Sequence, residues 1–110
     1  GRSPQAVIGA KLNDQDARQL LMNALDDTDE EVRAEATTLM GKLNESEWAA
    51  PLLLPKLHDQ SPLVRRNAAL SLMKLENPSV IPELESCLET EAEASVTPIL
   101  TLAINQLRVD

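Results

Sequence analysis

The chain has 110 residues, 18 of them acidic and 10 basic, which gives a formal net charge of −8. That length fits a single domain, and the 43% apolar fraction is too high for a disordered tail. The surplus of acid argues against nucleic-acid binding, which requires a basic patch for the phosphates. The longest apolar run, Leu52-Leu53-Leu54, is far too short to cross a bilayer, so we expect no membrane insertion.

The composition favours helices. Leu occurs 19 times and Ala 13 times, whereas Phe and Tyr are absent and Trp48 is the one aromatic residue. Leu and Ala are strong helix formers, while strands favour aromatic and β-branched side chains. We therefore expect an all-α fold.

Capping residues and prolines divide the chain into about seven helices. A shortened first helix is predicted to end at Leu12. The six helices that follow are predicted over about residues 15–25, 30–43, 47–57, 62–75, 79–89 and 97–107. The predicted N-caps are Asn13 or Asp14, Asp29, Ser46, and Ser61 followed by Pro62. Pro98 leaves two alternatives for the last helix, which either starts near Thr97 or starts near Ala94 and kinks.

The chain is also repetitive. Val32-Arg33 recurs 32 residues later as Val64-Arg65, and a further step of 32 reaches Val96, which Thr97 follows in place of Arg. After each Val, apolar residues recur every three or four positions, which is one face of a helix. Antiparallel helix pairs of 31–32 residues bury their faces by stacking, so the pattern predicts a solenoid. A compact bundle is the alternative, but it would not need Val-Arg at a fixed step.

Two segments carry a family resemblance. Both resemble the start of a HEAT-like repeat, of the short kind found in the phycobilisome-lyase group. They are residues 27–36, DTDEEVRAEA, and residues 59–70, DQSPLVRRNAAL. The resemblance covers about residues 5–107. It implies an α-α superhelix over residues 1–110, which we expect to be part of a longer protein. The third repeat departs from the pattern, with Thr90 where Asp is expected, Thr97 where Arg is expected, and Pro98.

Two acid–arginine pairs have the same spacing. Asp27 and Arg33 are six residues apart, as are Asp59 and Arg65. We expect a structural ladder in which a carboxylate lies near helix N-termini and a guanidinium bridges one repeat to the next. A catalytic pair is the alternative, but repetition favours the structural interpretation, because an active site rarely occurs once per repeat.

No other motif indicates catalysis, a cofactor or a metal site. Cys87 is the only cysteine and His58 the only histidine, whereas a zinc site needs three or four ligands. The acidic run over residues 26–31 lacks the glycine that a calcium loop requires, and its acids suit the first turn of a helix. We therefore expect that the chain is not an enzyme and binds no cofactor.

The resemblance implies a concave side lined by the second helix of each pair, over about residues 15–25, 47–57 and 79–89. We expect a protein partner to bind there, one that presents a basic surface to the acids. The candidate contact residues are Trp48, Lys56, Glu83, Glu85 and Glu89. Two alternatives stay open: a helix face that is only solvated, and a Trp48 that covers the core instead of anchoring a partner.

These observations predict a monomeric, non-catalytic interaction or scaffold module, with the cytoplasm as the favoured location. The alternative, which comes from the resemblance to the lyase group, is an accessory or chaperone subunit for an enzyme that binds a cofactor or attaches a chromophore. Neither the partner nor the architecture of the parent protein follows from the sequence.

Overall fold

The computed structural model describes residues 15–108, which form six α-helices and two short 3-10 segments and contain no strand. The helices are α1 (Gln15–Ala24), α2 (Glu30–Lys42), α3 (Ser46–Leu53), α4 (Pro62–Lys74), α5 (Ile81–Thr90) and α6 (Thr97–Leu107). The 3-10 segments are Leu54–His58 and Pro78–Val80. The all-α prediction is confirmed, while the shortened first helix and the cap at Asn13 or Asp14 lie outside the described residues.

The helix starts match the sequence signals in part. The Asp29 carboxylate accepts a hydrogen bond from the backbone N–H of Glu31, as an N-cap should. Ser61 occupies the N-cap position of α4 but makes no capping bond, because its hydroxyl donates to Glu30 Oε2 at 2.5 Å. The cap predicted at Ser46 is wrong, since Ser46 is the first helical residue and Glu45 precedes it.

Prolines shape the remaining helix boundaries. The continuous helix predicted over 47–57 is wrong, because α3 ends at Leu53 and the chain continues as the 3-10 segment Leu54–His58. Pro55 lies in that segment and lacks the N–H that would continue an α-helical ladder. Of the two alternatives for α6, the structure has the start at Thr97, so Pro98 stands in the first turn, where it is tolerated.

The helices form two layers. The three Val-Arg helices, α2, α4 and α6, make one layer, in which α2 packs on α4 and α4 on α6. Small residues allow this approach, because a Cβ added at Gly41 of α2 would lie 2.6 Å from Ser71 Oγ and 2.7 Å from Ser71 Cα. In the layer of α1, α3 and α5, the main contact between neighbours is made by the segment Leu54–His58 against α5.

The two layers differ in how closely their helices pack. Neighbouring helices contact one another extensively in the layer of α2, α4 and α6, which is the closer-packed layer. The helices α1, α3 and α5 form the more widely spaced layer. That they line a concave side stays a prediction.

The core runs between the two layers. Its largest fully buried side chains repeat the sequence period, since Val64 and Val96 lie 32 residues apart and both are 0% exposed. Fully burying a Leu contributes about 1.5–3 kcal/mol, and Leu side chains dominate this core. The fully buried large side chains are Leu21, Met40, Leu53, Leu72, Leu84, Leu100, Val64, Val96 and Thr37. No helix within residues 15–108 is both long and apolar enough to cross a membrane.

Candidate interaction surfaces

Arg33 joins the first Val-Arg helix to the loop before the next one. Its Nε and Nη2 atoms donate to the two carboxylate oxygens of Asp59, each at 3.0 Å. Its Nη1 donates to the carbonyl oxygens of Asp27 at 2.8 Å and Thr28 at 3.2 Å. The structure thus brings Arg33 and Asp59 together side chain to side chain, while Asp27 meets Arg33 through its backbone.

Arg65 repeats this arrangement one step later. Its Nε and Nη2 donate to the carboxylate of Glu91 at 2.8 and 2.9 Å, and its Nη1 donates to the carbonyl oxygens of Asp59 and Gln60. The expectation that Thr90 stands at the acid position of the third repeat is wrong, because the acid that pairs with Arg65 is Glu91. Positions 27, 59 and 91 are each 32 residues apart, so a constant step of 32 would have identified Glu91.

The ladder acids also hold their own loops. Asp59 Oδ1 accepts the backbone N–H of Ser61 at 2.9 Å, and Glu91 Oε2 accepts that of Glu93 at 3.1 Å. The hydrogen bond from Arg65 lowers the pKa of Glu91. Burial works to raise the pKa of Asp59, but hydrogen bonds from Arg33 and from the Ser61 N–H together lower it. Both carboxylates are therefore held in the ionised form that the ladder needs.

Each arginine with its carboxylate partner is one rung of the ladder, and Arg65 with Glu91 is the second. A cavity of about 280 Å³ lies beside this second rung, lined by Leu57, His58, Cys87 and Glu91 among others. Cys87 Sγ is 3.8 Å from His58 Nε2 there. Burial, with the charges of Glu83 and Glu91, raises the pKa of the Cys87 thiol. A thiol held protonated is a poor nucleophile and a poor metal ligand. Within residues 15–108, no group of three or more metal-binding side chains occurs.

Trp48 and Lys56 are engaged within the chain. Trp48 is half-buried and packs against the core, and the guanidinium carbon of Arg18 lies 4.8 Å from the centre of its ring. Arg18 also forms an ion pair with Glu45. Lys56 Nζ is 2.9 Å from Asp26 Oδ1, and only 13% of the Lys56 side chain is exposed. The two side chains therefore have internal partners that a binding protein would have to replace or share.

The outer side of α5 is acidic. Glu83, Ser86 and Glu89 are exposed at intervals of three residues, which places them on one side of the helix, called here the α5 face. Glu83 and Glu89 make no ion pair with any residue of 15–108. Glu85 is half-buried and is neutralised by an ion pair with Arg108, at the end of α6. The α5 face therefore keeps uncompensated negative charge.

Comparison with known proteins now identifies the fold. The family model for HEAT repeats matches residues 19–105. The chain belongs to the HEAT-repeat family. It is also similar to a bilin biosynthesis protein, MpeU, of Synechococcus sp. (strain WH8020), with 41% identity over 97 residues. The alignment covers 88% of this chain and 33% of that protein, so the chain spans about a third of the length of this relative.

In HEAT-repeat terms, each rung of the ladder lies at the junction of two repeats. Arg33 links the first repeat to the second, and Arg65 links the second to the third. The Arg33 and Asp59 side chains are 16% and 9% exposed and the Arg65 and Glu91 side chains 17% and 6%, so both pairs are partly shielded from solvent. Such an array presents rows of exposed side chains whose relative positions the rungs help to fix.

Proposed function

We propose that this HEAT-repeat chain is a non-catalytic interaction module whose α5 face binds a basic surface of a partner protein. One observation carries the proposal: Glu83 and Glu89 are exposed on the same side of α5 and have no ion-pair partner among the described residues. Charges of this kind steer a partner of opposite sign and are largely free to pair with it.

The surroundings of α5 support this proposal. Leu84 and Cys87 bury the inner side of the helix, and the ion pair between Glu85 and Arg108 attaches α5 to α6. The Arg65–Glu91 rung holds the chain directly after the C-terminal end of α5. Because α5 is fixed on both sides, little conformational entropy would be lost when a partner binds, and this favours affinity.

The similarity to a bilin biosynthesis protein supports a second, finer candidate. In that role the module would be an accessory or chaperone part of a protein that attaches a chromophore, and the α5 face would bind the protein that receives or carries the chromophore. This candidate rests on the relative's name and on 41% identity. It differs from a pure scaffold in one measurable property, which is an effect of the module on a bilin.

Capture from native host extract tests the α5 face. The baits are the protein that carries this chain, its Glu83→Lys, Glu89→Lys variant, and a Glu31→Lys, Glu35→Lys variant that makes the same charge change on exposed positions of α2. We expect the parent and the α2 variant to hold the same partner. The affinity of the α5 variant for that partner should fall at least tenfold, or ~1.4 kcal/mol. Equal retention by all three baits, or loss only with the α2 variant, contradicts the proposal.

A titration separates the two candidates. A free bilin is added to the same three baits, with and without the captured partner, and its visible absorption is followed. A pure scaffold leaves the spectrum unchanged in every mixture. A saturable spectral shift that needs both the bait and the partner supports the accessory role.

A further inference from the structure

The Val-Arg layer carries an apolar surface that the ladder and the α5 face do not use. Within residues 15–108, Leu63 of α4 and Leu102 of α6 are the large hydrophobic side chains that are exposed, at 44% and 42%. Leu63 and Leu70 are seven residues apart and share one side of α4, where Leu70 is half-buried. Leu102 is 32 residues after Leu70, so it holds the same position on the next Val-Arg helix.

Free cations accompany this apolar surface. In the described part of the chain, five of the basic side chains form ion pairs: those of Arg18, Arg33, Lys56, Arg65 and Arg108. Arg66 and Lys74, both on α4, form none. Arg66 lies between Leu63 and Leu70 along α4 and so within the same surface. A chain of net charge −8 thus has a patch that is apolar and positive on its closer-packed layer.

We propose that this patch, called here the α4–α6 face and defined by Leu63, Arg66, Leu70, Lys74 and Leu102, docks a helix of a partner protein with acidic residues beside an apolar stripe. The stripe would cover the exposed leucines, and the acids would pair with Arg66 and Lys74. The two cations require a partner whose docked surface is negatively charged. The 13-residue α4 is ~20 Å long, which matches three to four turns of a docked helix.

This inference goes beyond the proposed function, because the two surfaces differ in both place and sign. The α5 face lies on the widely spaced layer and attracts a basic partner, whereas the α4–α6 face lies on the other layer and attracts an acidic, amphipathic helix. A module with both can hold two segments at the same time. That would make it a scaffold in the strict sense, since it would join two partners.

Two designed peptides serve as the probe. Each is about 14 residues long, with Leu every three or four positions, and the two differ only in carrying Glu or Lys beside the Leu stripe. Binding to the 110-residue chain is followed by the shifts of its backbone amide signals. We expect the Glu peptide to shift amides of α4 and α6 and to bind at least tenfold more tightly than the Lys peptide. The Arg66→Glu variant should reverse that order, and Leu102→Ser should weaken both peptides.

The Glu83→Lys, Glu89→Lys variant is the matched control, and it should bind the Glu peptide as the parent does. Because positions 66 and 102 are at least partly exposed, the folded state of their variants can be checked by the helical circular dichroism signal. The proposal is overturned by equal binding of the two peptides, by no shift in α4 or α6, or by shifts confined to α5. Self-association that Leu102→Ser abolishes would also overturn it, since a second copy would then be the occupant.

Discussion

At the scale of single residues, the ladder shows how one guanidinium can serve two repeats. Arg65 donates from one edge to the Glu91 carboxylate and from Nη1 to two backbone carbonyls of the loop before its own helix. The planar fork of Arg fits both tasks, whereas Lys has a single ammonium that would serve one of them. Thr97 stands where a third Arg is expected, so the described rungs end at Glu91.

Gly41 is a position where two helices approach closely. Glycine costs about 1 kcal/mol relative to alanine inside a helix, so propensity alone predicts that Gly41→Ala stabilises. The added Cβ would instead meet Ser71 Cα at 2.7 Å, and a backbone atom cannot rotate away. We expect a net loss of about 1–3 kcal/mol in the free energy of unfolding, measured by urea titration. Glu35→Ala on the exposed side of α2 should change it by less than about 0.5 kcal/mol, and an increase for Gly41→Ala would refute the close approach.

At the scale of elements, the junction between α4 and the chain after α5 depends on an ionised Glu91. Its pKa is lowered from an ordinary value of 4.5 in the folded state, so on acidification the unfolded state takes up this proton first. The stabilisation is fully present above the unfolded pKa and is lost as pH falls through the lower folded pKa. Asp59, whose pKa is also lowered, contributes in the same direction.

Glu91→Gln should therefore lower the free energy of unfolding by about 1 kcal/mol near neutral pH. This figure is reduced because the pair is partly exposed and solvent screens its charges. The loss should shrink as pH falls below about 4.5, because the parent then loses the same interaction. Urea unfolding of both proteins over that range measures the difference. Glu89 has no ion pair among the described residues, so Glu89→Gln is the control and should change the free energy of unfolding near neutral pH by less than about 0.5 kcal/mol. A Glu91→Gln penalty that does not change with pH would contradict the ionised rung.

The elements themselves followed closely from the sequence, with failures at identifiable residues. Apolar spacing and the Val-Arg step predicted α2 and α4 to within a residue or two, because propensity, capping and burial agree there. The second helices were less predictable, because the 3-10 segment at Leu54–His58 depends on how Pro55 is accommodated by packing. The fold of the array was thus predictable from local signals, while the shape of its second layer was not.

At the scale of the whole molecule, the difference in packing between the two layers could not be read from the repeat. It depends on contacts such as Gly41 with Ser71 that connect different repeats. The same limit applies to the surfaces. The sequence supplied the acids of α5, but not the pairing of Glu85 with Arg108 or the exposure of Leu63 and Leu102, since these depend on tertiary neighbours.

The resulting molecule has two surfaces of opposite character on its two layers, with the rungs of the ladder near the loops between them. The negative charge of the α5 face should speed the association of a basic partner, and the fit of the two surfaces should determine which partner remains bound. Glu83 and Glu89 have no ion pair among the described residues, so the α5 face keeps negative charge. We therefore expect a protein partner to contact α5 directly.

Site-specific photo-crosslinking in the native host tests that contact most directly. A photoreactive residue replaces Ser86, which is exposed between Glu83 and Glu89, and in a matched control it replaces Glu47, which is exposed on α3. We expect a discrete adduct with one protein from position 86, which is lost when Glu83→Lys and Glu89→Lys are added. We expect no such adduct from position 47. An adduct from position 47 alone, or one from position 86 that survives the charge reversal, would contradict this contact.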